Sequence, residues 1–255
     1  MNNARPPAYT PIRPLKISNR WFPPNGSFGL YRLGAKVAPN VTSILSSFFP
    51  FDLEAWKRTE PGIDHAAIAK ESAVRGTAVH LAMENWLTGK KMDCVGSIEA
   101  WVKPLQSLVR RADATLAVEL PVFHSVNNIG PYAGSADALM RVKGETVLID
   151  YKTKRLGKKV YNQYLLKQKL QMAAYTMAIN VVYLEQLSAP VTRASLLFAH
   201  PDEGRAVTVV KIDASELNDL QAQWAALLGE WYKQNGNALN NCQAVVSAPD
   251  AEPAP

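Results

Sequence analysis

Asp137 and Asp150 stand on either side of a short polar break, and the second opens the tripeptide Asp150-Tyr151-Lys152 after the apolar run Val147-Leu148-Ile149. From Ala133 to Lys152, β-formers and apolar residues flank Lys143-Gly144, the pattern of a hairpin with a two-residue loop. That loop pairs Val142 with Glu145 and sets Asp137 opposite Asp150. Opposed residues have Cβ atoms about 4.5–5.5 Å apart, so the two carboxylates share a face at a span one Mg²⁺ or Mn²⁺ can bridge. Lys152 returns to that face by the period of a strand. Like carboxylates at this distance repel unless a cation or a proton lies between them. The pattern therefore predicts a divalent-metal phosphodiesterase centre. Its alternative is a pair of strand-end acids in salt bridges with Lys152 or Lys154.

The elements that would position these groups follow from periodicity. Helices are expected over Val41–Phe48, Asp52–Arg58, Ala66–Leu87 and Ser97–Ala112, then three strands within Leu116–Lys152. A helix over Tyr161–Leu184, strands Thr192–Ala199 and Ala206–Ile212, and a last helix Ala214–Lys233 complete the order. This is an α/β chain with an αβββαβ core and N-terminal helical additions. Thr77, His80 and Glu84 line one edge of the third helix, with His80 a candidate ligand and Glu84 either its hydrogen-bonded partner or a solvated acid. Gln171 and Tyr175, four apart, share a face with Gln168 and Tyr164; that stripe either touches a nucleic-acid backbone or edges a core helix. Leu217, Leu220, Trp224, Leu228 and Trp231 recur at steps of three and four and mark a buried stripe.

Four short motifs in order resemble the PD-(D/E)XK nuclease superfamily in its RecB-like branch. They are Arg75-Gly76-Thr77-Ala78-Val79-His80, Gly134-Ser135-Ala136-Asp137, Ile149-Asp150-Tyr151-Lys152 and Gln171-Met172-Ala173-Ala174-Tyr175. Pro39-Asn40-Val41-Thr42-Ser43-Ile44-Leu45 is similar to a segment of its single-domain exonucleases, the group of mitochondrial genome maintenance exonucleases and their phage and bacterial relatives. The resemblance spans roughly Ala38 to Trp231. It implies a restriction-endonuclease-like fold, and Asp137, Asp150, the backbone carbonyl of Tyr151 and His80 as ligands of one or two Mg²⁺ or Mn²⁺ ions. Lys152 would orient and help deprotonate the attacking water and steady the charge on phosphorus. Gln171, Tyr175, Lys154, Thr42 and Ser43 would contact substrate. Glu119, on the expected first strand, would be an accessory acid.

Charge placement suits an anionic polymer. The chain carries a net charge of +6; six basic residues precede its first acid, Asp52, and seven lie between Tyr151 and Leu184 with no acid among them. Residues 1–38 read as a basic, Pro-rich arm whose aromatics either stack unpaired bases or anchor it, residues 39–236 as one nuclease domain, and 237–255 as a disordered tail. Two cysteines, Cys94 and Cys242, exclude a four-cysteine iron–sulfur cluster, and the chain has no phosphate-binding loop of the helicase-motor type. Nothing reads as a membrane span or secretory signal, so the expected place is the cytoplasm. The expectation is a monomeric metal-dependent DNA exonuclease acting on single-stranded or free ends in recombination, repair or replication, with any helicase or single-strand-binding partner supplied in trans. Alternatives are an endonuclease of the same fold and a non-catalytic DNA-binding recombination accessory.

Overall fold

The computed structural model describes residues 5–23, 28–51, 53–59, 62–91, 96–153, 162–200 and 207–247. In chain order these form β1 (Ala8–Tyr9), β2 (Leu30–Leu33), β3 (Lys36–Pro39), α1 (Val41–Phe48), α2 (Leu53–Thr59), α3 (His65–Leu87) and α4 (Gly96–Val109). There follow β4 (Ala114–Val126), β5 (Gly130–Val142), β6 (Glu145–Thr153), α5 (Asn162–Val182), a 3-10 turn (Leu184–Gln186), β7 (Arg193–Ala199), β8 (Val207–Ile212) and α6 (Ala214–Ser247).

Six strands make one mixed sheet in the order β1-β4-β5-β6-β7-β8, with β6 and β7 parallel and joined through α5. The β5–β6 hairpin turns on Lys143 and Gly144, both with positive φ as a primed two-residue turn requires, and pairs Val142 with Glu145 as expected. Helix starts follow from capping side chains: Asn40 accepts from the Ser43 amide, Asp64 from Ala67 and Asp213 from Glu216. Helices α3 and α4 cover one face of the sheet, where Val79, Met83, Trp101 and Leu105 meet Val147, Ile149 and Tyr151. Helices α1, α5 and α6 cover the other, around Leu148, Met172, Trp224 and Trp231. The expected apolar stripe of the last helix is thus core.

Two expected boundaries need correction. Residues 28–38 are part of the domain rather than an arm. They form the β2–β3 hairpin, whose Leu30 and Val37 are fully buried, and Phe28 meets Trp231 edge to face at 5.0 Å between ring centres. Upstream of them, Arg13 is held at both its amide and its carbonyl by the Gln186 side chain, and the Tyr183 hydroxyl accepts from Leu15 while donating to Pro121. The proposed tail is helical as far as Ser247, because Leu239 still reaches the core and keeps α6 in register on it. Among the described residues no helix is long and apolar enough to cross a membrane.

Candidate active site

Strands β5 and β6 pair from the turn as far as Ala138 and Ile149. Asp137 and Asp150 are the next residues in that register. Beyond them the two strands no longer pair with each other: β5 continues on β4, with a bridge from Ala133 to Asn40, and β6 continues on β7, so the sheet forks at the two aspartates. A fork leaves backbone groups to be satisfied by other means. Here Asp137 Oδ2 accepts the Tyr151 amide at 2.8 Å, and the Tyr151 carbonyl accepts from His80 Nε2, also at 2.8 Å. The other ring nitrogen of His80, Nδ1, lies 3.3 Å from Asp137 Oδ2. Both ring nitrogens thus face acceptors, which calls for the doubly protonated imidazolium. Lys152 Nζ straddles the Asp150 carboxylate, 2.9 Å from Oδ1 and 2.7 Å from Oδ2, while Oδ2, shut off from solvent, accepts no hydrogen bond of good direction.

Electrostatics follows from burial with unlike charges at contact. Burial disfavours the His80 imidazolium, but the carboxylates of Asp137 and Asp150 outweigh it and raise the imidazole to about 9. Burial pushes Asp150 up to about 6, with Asp137 repulsion adding and Lys152 opposing. Asp137 feels the same burial, yet His80, Lys152 and the Tyr151 amide together hold it below its usual range. Against the cost of burial, Asp150 and Asp137 raise Lys152, which therefore stays an ammonium.

The remaining expected residues are distributed as follows. Glu119 comes to the site: β4 pairs Val118 with Ala138 and Leu120 with Ala136, which sets Glu119 opposite Asp137, and donor atoms of His80, Glu119 and Asp137 lie within 4.8 Å of one another. Glu84 is not the partner of His80, whose nitrogens are taken; its carboxylate is held by Lys90 at 3.3 Å. Tyr175 is buried at 3 % exposure, its ring lying over Gly134 and its hydroxyl accepting from Gln171 at 3.3 Å. Tyr175 therefore packs the strand that carries Asp137, and Gln171 is the member of the pair nearer solvent. Thr42 donates to Asn40, and Ser43 Oγ accepts the Gly29 amide, so both hydroxyls fasten the entry to α1. Lys154 lies outside the described residues. Tyr164, a member of the expected stripe, has a phenol that feels the charges of Lys152 and Asp150, and Ser135, whose hydroxyl bonds Glu119 at 2.7 Å, adjoins the site without having been assigned a role from the sequence. Ser135 is recoverable from strand alternation, since it shares a face with Asp137 two residues on.

The family model of the PD-(D/E)XK nuclease superfamily matches residues 110–244, more than half of the chain. The chain belongs to this superfamily. The matched span contains Asp137, Asp150 and Lys152, and the α/β architecture is the restriction-endonuclease-like one, with β4–β6, α5 and β7 as its strand–helix–strand centre. Among solved structures, SSO0001 is similar at 16 % identity, covering 84 % of this chain and 86 % of that one with a TM-score of 0.44. A candidate exonuclease from Eubacterium rectale is similar at 10 % identity, covering 71 % and 77 % with a TM-score of 0.44. No curated protein matches the chain.

Nucleases of the superfamily use divalent metal ions, and the residues present fit one. Asp137 and Asp150 are buried carboxylates, and Asp150 Oδ2, although 2.7 Å from Lys152 Nζ, accepts no hydrogen bond of good direction. A carbonyl and an imidazole complete a mixed oxygen and nitrogen donor set suited to Mg²⁺ or Mn²⁺.

Proposed function

We propose that the protein is a metal-dependent DNA exonuclease that hydrolyses phosphodiester bonds from single-stranded ends. The observation that carries the reading is the fork itself: two buried aspartates with a lysine ammonium beside them, in a chain of this superfamily. His80, Asp137, Asp150 and the Tyr151 carbonyl would hold the cation, which when bound supplies charge neutralisation at the phosphate and acidifies water. Lys152 is held protonated, so its part is to donate: its ammonium orients the attacking water and steadies the negative charge that grows on the phosphoryl oxygens. Asp150 holds that ammonium in place through both oxygens. The water attacks phosphorus and gives up a proton to solvent, the bond from phosphorus to the sugar oxygen breaks, that oxygen takes a proton from solvent, and the strand is shortened.

Single-strand entry is supported by the placement of α1. Lys167 Nζ bonds Ser46 Oγ at 3.0 Å and the Phe49 carbonyl at 3.2 Å, fixing the end of α1 to α5 one turn beyond Tyr164, which adjoins Lys152. Helix α1 would thus border a passage over the fork. The net charge of +6 supports an anionic polymer as substrate. Action as a monomer, on DNA undergoing recombination, repair or replication and with any helicase or single-strand-binding protein recruited in trans, is part of the same proposal.

End-labelled single- and double-stranded DNA, with Mg²⁺, Mn²⁺ or EDTA and beside Asp150→Ala and Lys152→Ala, tests it. Metal-dependent loss of label that both substitutions abolish is expected, with closed circular single strands spared. Binding without cleavage under every metal would overturn the enzyme, and equal cutting of circles would overturn the requirement for ends.

A further inference from the structure

Residues 18–22 run along β2. Trp21 and Leu30 exchange both backbone hydrogen bonds, at 3.0 and 2.8 Å, and the Ser18 amide donates to the Arg32 carbonyl. The antiparallel bridge sets Arg20 opposite Tyr31 and Phe22 opposite Gly29. Alternation turns Trp21 and Leu30 to the core and brings Arg20, Phe22 and Tyr31 together on the other face. There the Arg20 guanidinium stands 5.4 Å from the centre of the Phe22 ring, and a Cβ on Gly29 would meet Arg20 Cδ at 3.0 Å and Phe22 Cζ at 3.3 Å.

Trp21 and the backbone bonds anchor this segment, so anchoring does not account for Phe22, which is left 57 % exposed with an exposed Arg20 beside it. No acid precedes Asp52 in the chain, and Arg32 and Lys36 add exposed positive charge on the same hairpin. An exposed ring beside a guanidinium is equipment for holding an unpaired base and its phosphate. Tyr31 ties the pair to the fork. It packs against the cluster of Ala38, Phe123 and Ala133, and Ala133 alternates with Ser135, whose hydroxyl bonds Glu119. Burial raises the Tyr31 phenol, Arg20 and the Asn40 side chain lower it, and Glu119 raises it, so a neutral hydroxyl senses Arg20 and Glu119 alike.

We propose that Arg20 and Phe22 form a nucleotide subsite outside the fork, aligned on it by Tyr31: Phe22 stacks an unpaired base and Arg20 pairs with the phosphate beside it. The proposal rests on the reading of the protein as a nuclease of single-stranded ends and names contacts that select a single strand. A base inside a duplex has both faces covered by its neighbours and cannot receive the ring. A merely structural Phe22 could become leucine without effect on any ligand.

Fluorescence anisotropy of the full chain with labelled oligodeoxynucleotides, in EDTA to prevent cleavage, tests it. Phe22→Leu is expected to weaken binding of a single strand by about 5–100-fold, and Phe22→Trp to keep it. A strand of abasic sites offers phosphates without bases, and on it Phe22→Leu should match wild type, as it should on blunt duplex. Arg20→Gln should weaken ordinary and abasic strands alike and lower the slope of log Kd against log salt by about 0.7. Thermal unfolding alongside reports that each variant is folded. Wild-type affinity in both Phe22→Leu and Arg20→Gln would overturn the proposal, as would a Phe22→Leu loss of equal size on abasic or duplex DNA. Digestion of the same strands with Mn²⁺ separates the subsite from the reading beneath it. Cleavage by wild type without these losses overturns the subsite alone, and the losses without cleavage overturn the nuclease and leave the subsite. A wild type that binds no single strand, in EDTA or Mn²⁺, overturns both.

Discussion

Gly134 and Tyr175 are forty-one positions apart in the chain and meet at one point of the fold, which makes their contact a quantitative test of how the site is supported. A Cβ placed on Gly134 would stand 2.7 Å from Tyr175 Cε1, 2.7 Å from Oη and 3.0 Å from Cζ. Non-bonded carbons rest at about 3.5–4.0 Å, so the ring must retreat by about 1 Å. Tyr175 is a core residue with its hydroxyl bonded by Gln171, and Gly134 is held between β4 and α5. Overpacking at a well-filled site costs about 1–3 kcal/mol, and the lack of a path for retreat argues for the upper half. Gly134 has no left-handed φ, so alanine fits its backbone and returns about 0.5–1 kcal/mol of strand preference. Gly134→Ala should therefore destabilise the protein by about 1–2.5 kcal/mol, read as a lower urea midpoint at unchanged slope.

Tyr175→Leu costs stability by itself but removes every atom the new methyl strikes, so Gly134→Ala should be close to neutral in that background. The double-mutant cycle then gives a coupling of about 1–2 kcal/mol, of sign opposite to a stabilising contact. Tyr175→Phe discriminates further: it removes Oη and leaves Cε1 at 2.7 Å, so it should rescue Gly134→Ala only in part. A Gly134→Ala protein as stable as wild type, or one penalised equally with and without the Tyr175 ring, would refute the reasoning.

Three other outcomes are expected. Because the His80 imidazole is raised to about 9, a bound cation must displace its proton across the neutral range, while Asp150, at about 6, is already largely ionised. The Kd for Mn²⁺ should therefore tighten between pH 6.5 and 8.5, by up to about tenfold per unit, and a pH-independent Kd in calorimetry would contradict it. Lys152→Met should lower kcat by about 10²–10³-fold with little change in the KM for DNA, since the ammonium acts on charge that develops only in the reaction; a change confined to KM would contradict that role. Phe28→Ala should cost about 3–5 kcal/mol in urea unfolding and be non-additive with Trp231→Ala, because the two rings meet at 5.0 Å; independent effects would return residues 28–38 to the status of an arm.

What the sequence made legible, and what it hid, divides along physical lines. The β5–β6 register was legible because a two-residue loop leaves one pairing, and that pairing lines up the two aspartates. The stripe of α6 was legible from spacing, whereas its end was not: Gly236 and the asparagines at 235, 237, 240 and 241 depress helix propensity, and only tertiary burial of Leu239 carries the helix past them. The β2–β3 hairpin was missed although Gly34-Ala35 between two four-residue strands is a turn signal, because the surrounding prolines and basic residues read as an arm. His80 was singled out by its motif and not by geometry, since nothing local says that α3 delivers it to the Tyr151 carbonyl 71 positions away. The backbone of Glu119 was invisible, as no residue in β4 signals a positive φ there.

Charge balance connects these pieces. Around the fork stand three carboxylates, Glu119, Asp137 and Asp150, against two cations, His80 and Lys152. Removing either cation would leave buried acids repelling one another: imidazolium and ammonium balance them from opposite sides of the sheet. His80 reaches it from α3, and Lys152 adjoins Tyr164 on α5. Were His80 to hold a divalent ion, as proposed, its ring would give up a proton and serve as a ligand in place of a charge-balancing donor. Lys152 keeps its proton longer because Asp150 grips it through both oxygens, so the positive charge that remains is the one placed to meet phosphate. On this account His80 and Lys152 are interchangeable in the metal-free protein only as charges. Under the proposed reading the fork would give them different work, since His80, raised to about 9, would lose its proton to a metal more readily than Lys152, which the carboxylates hold as an ammonium.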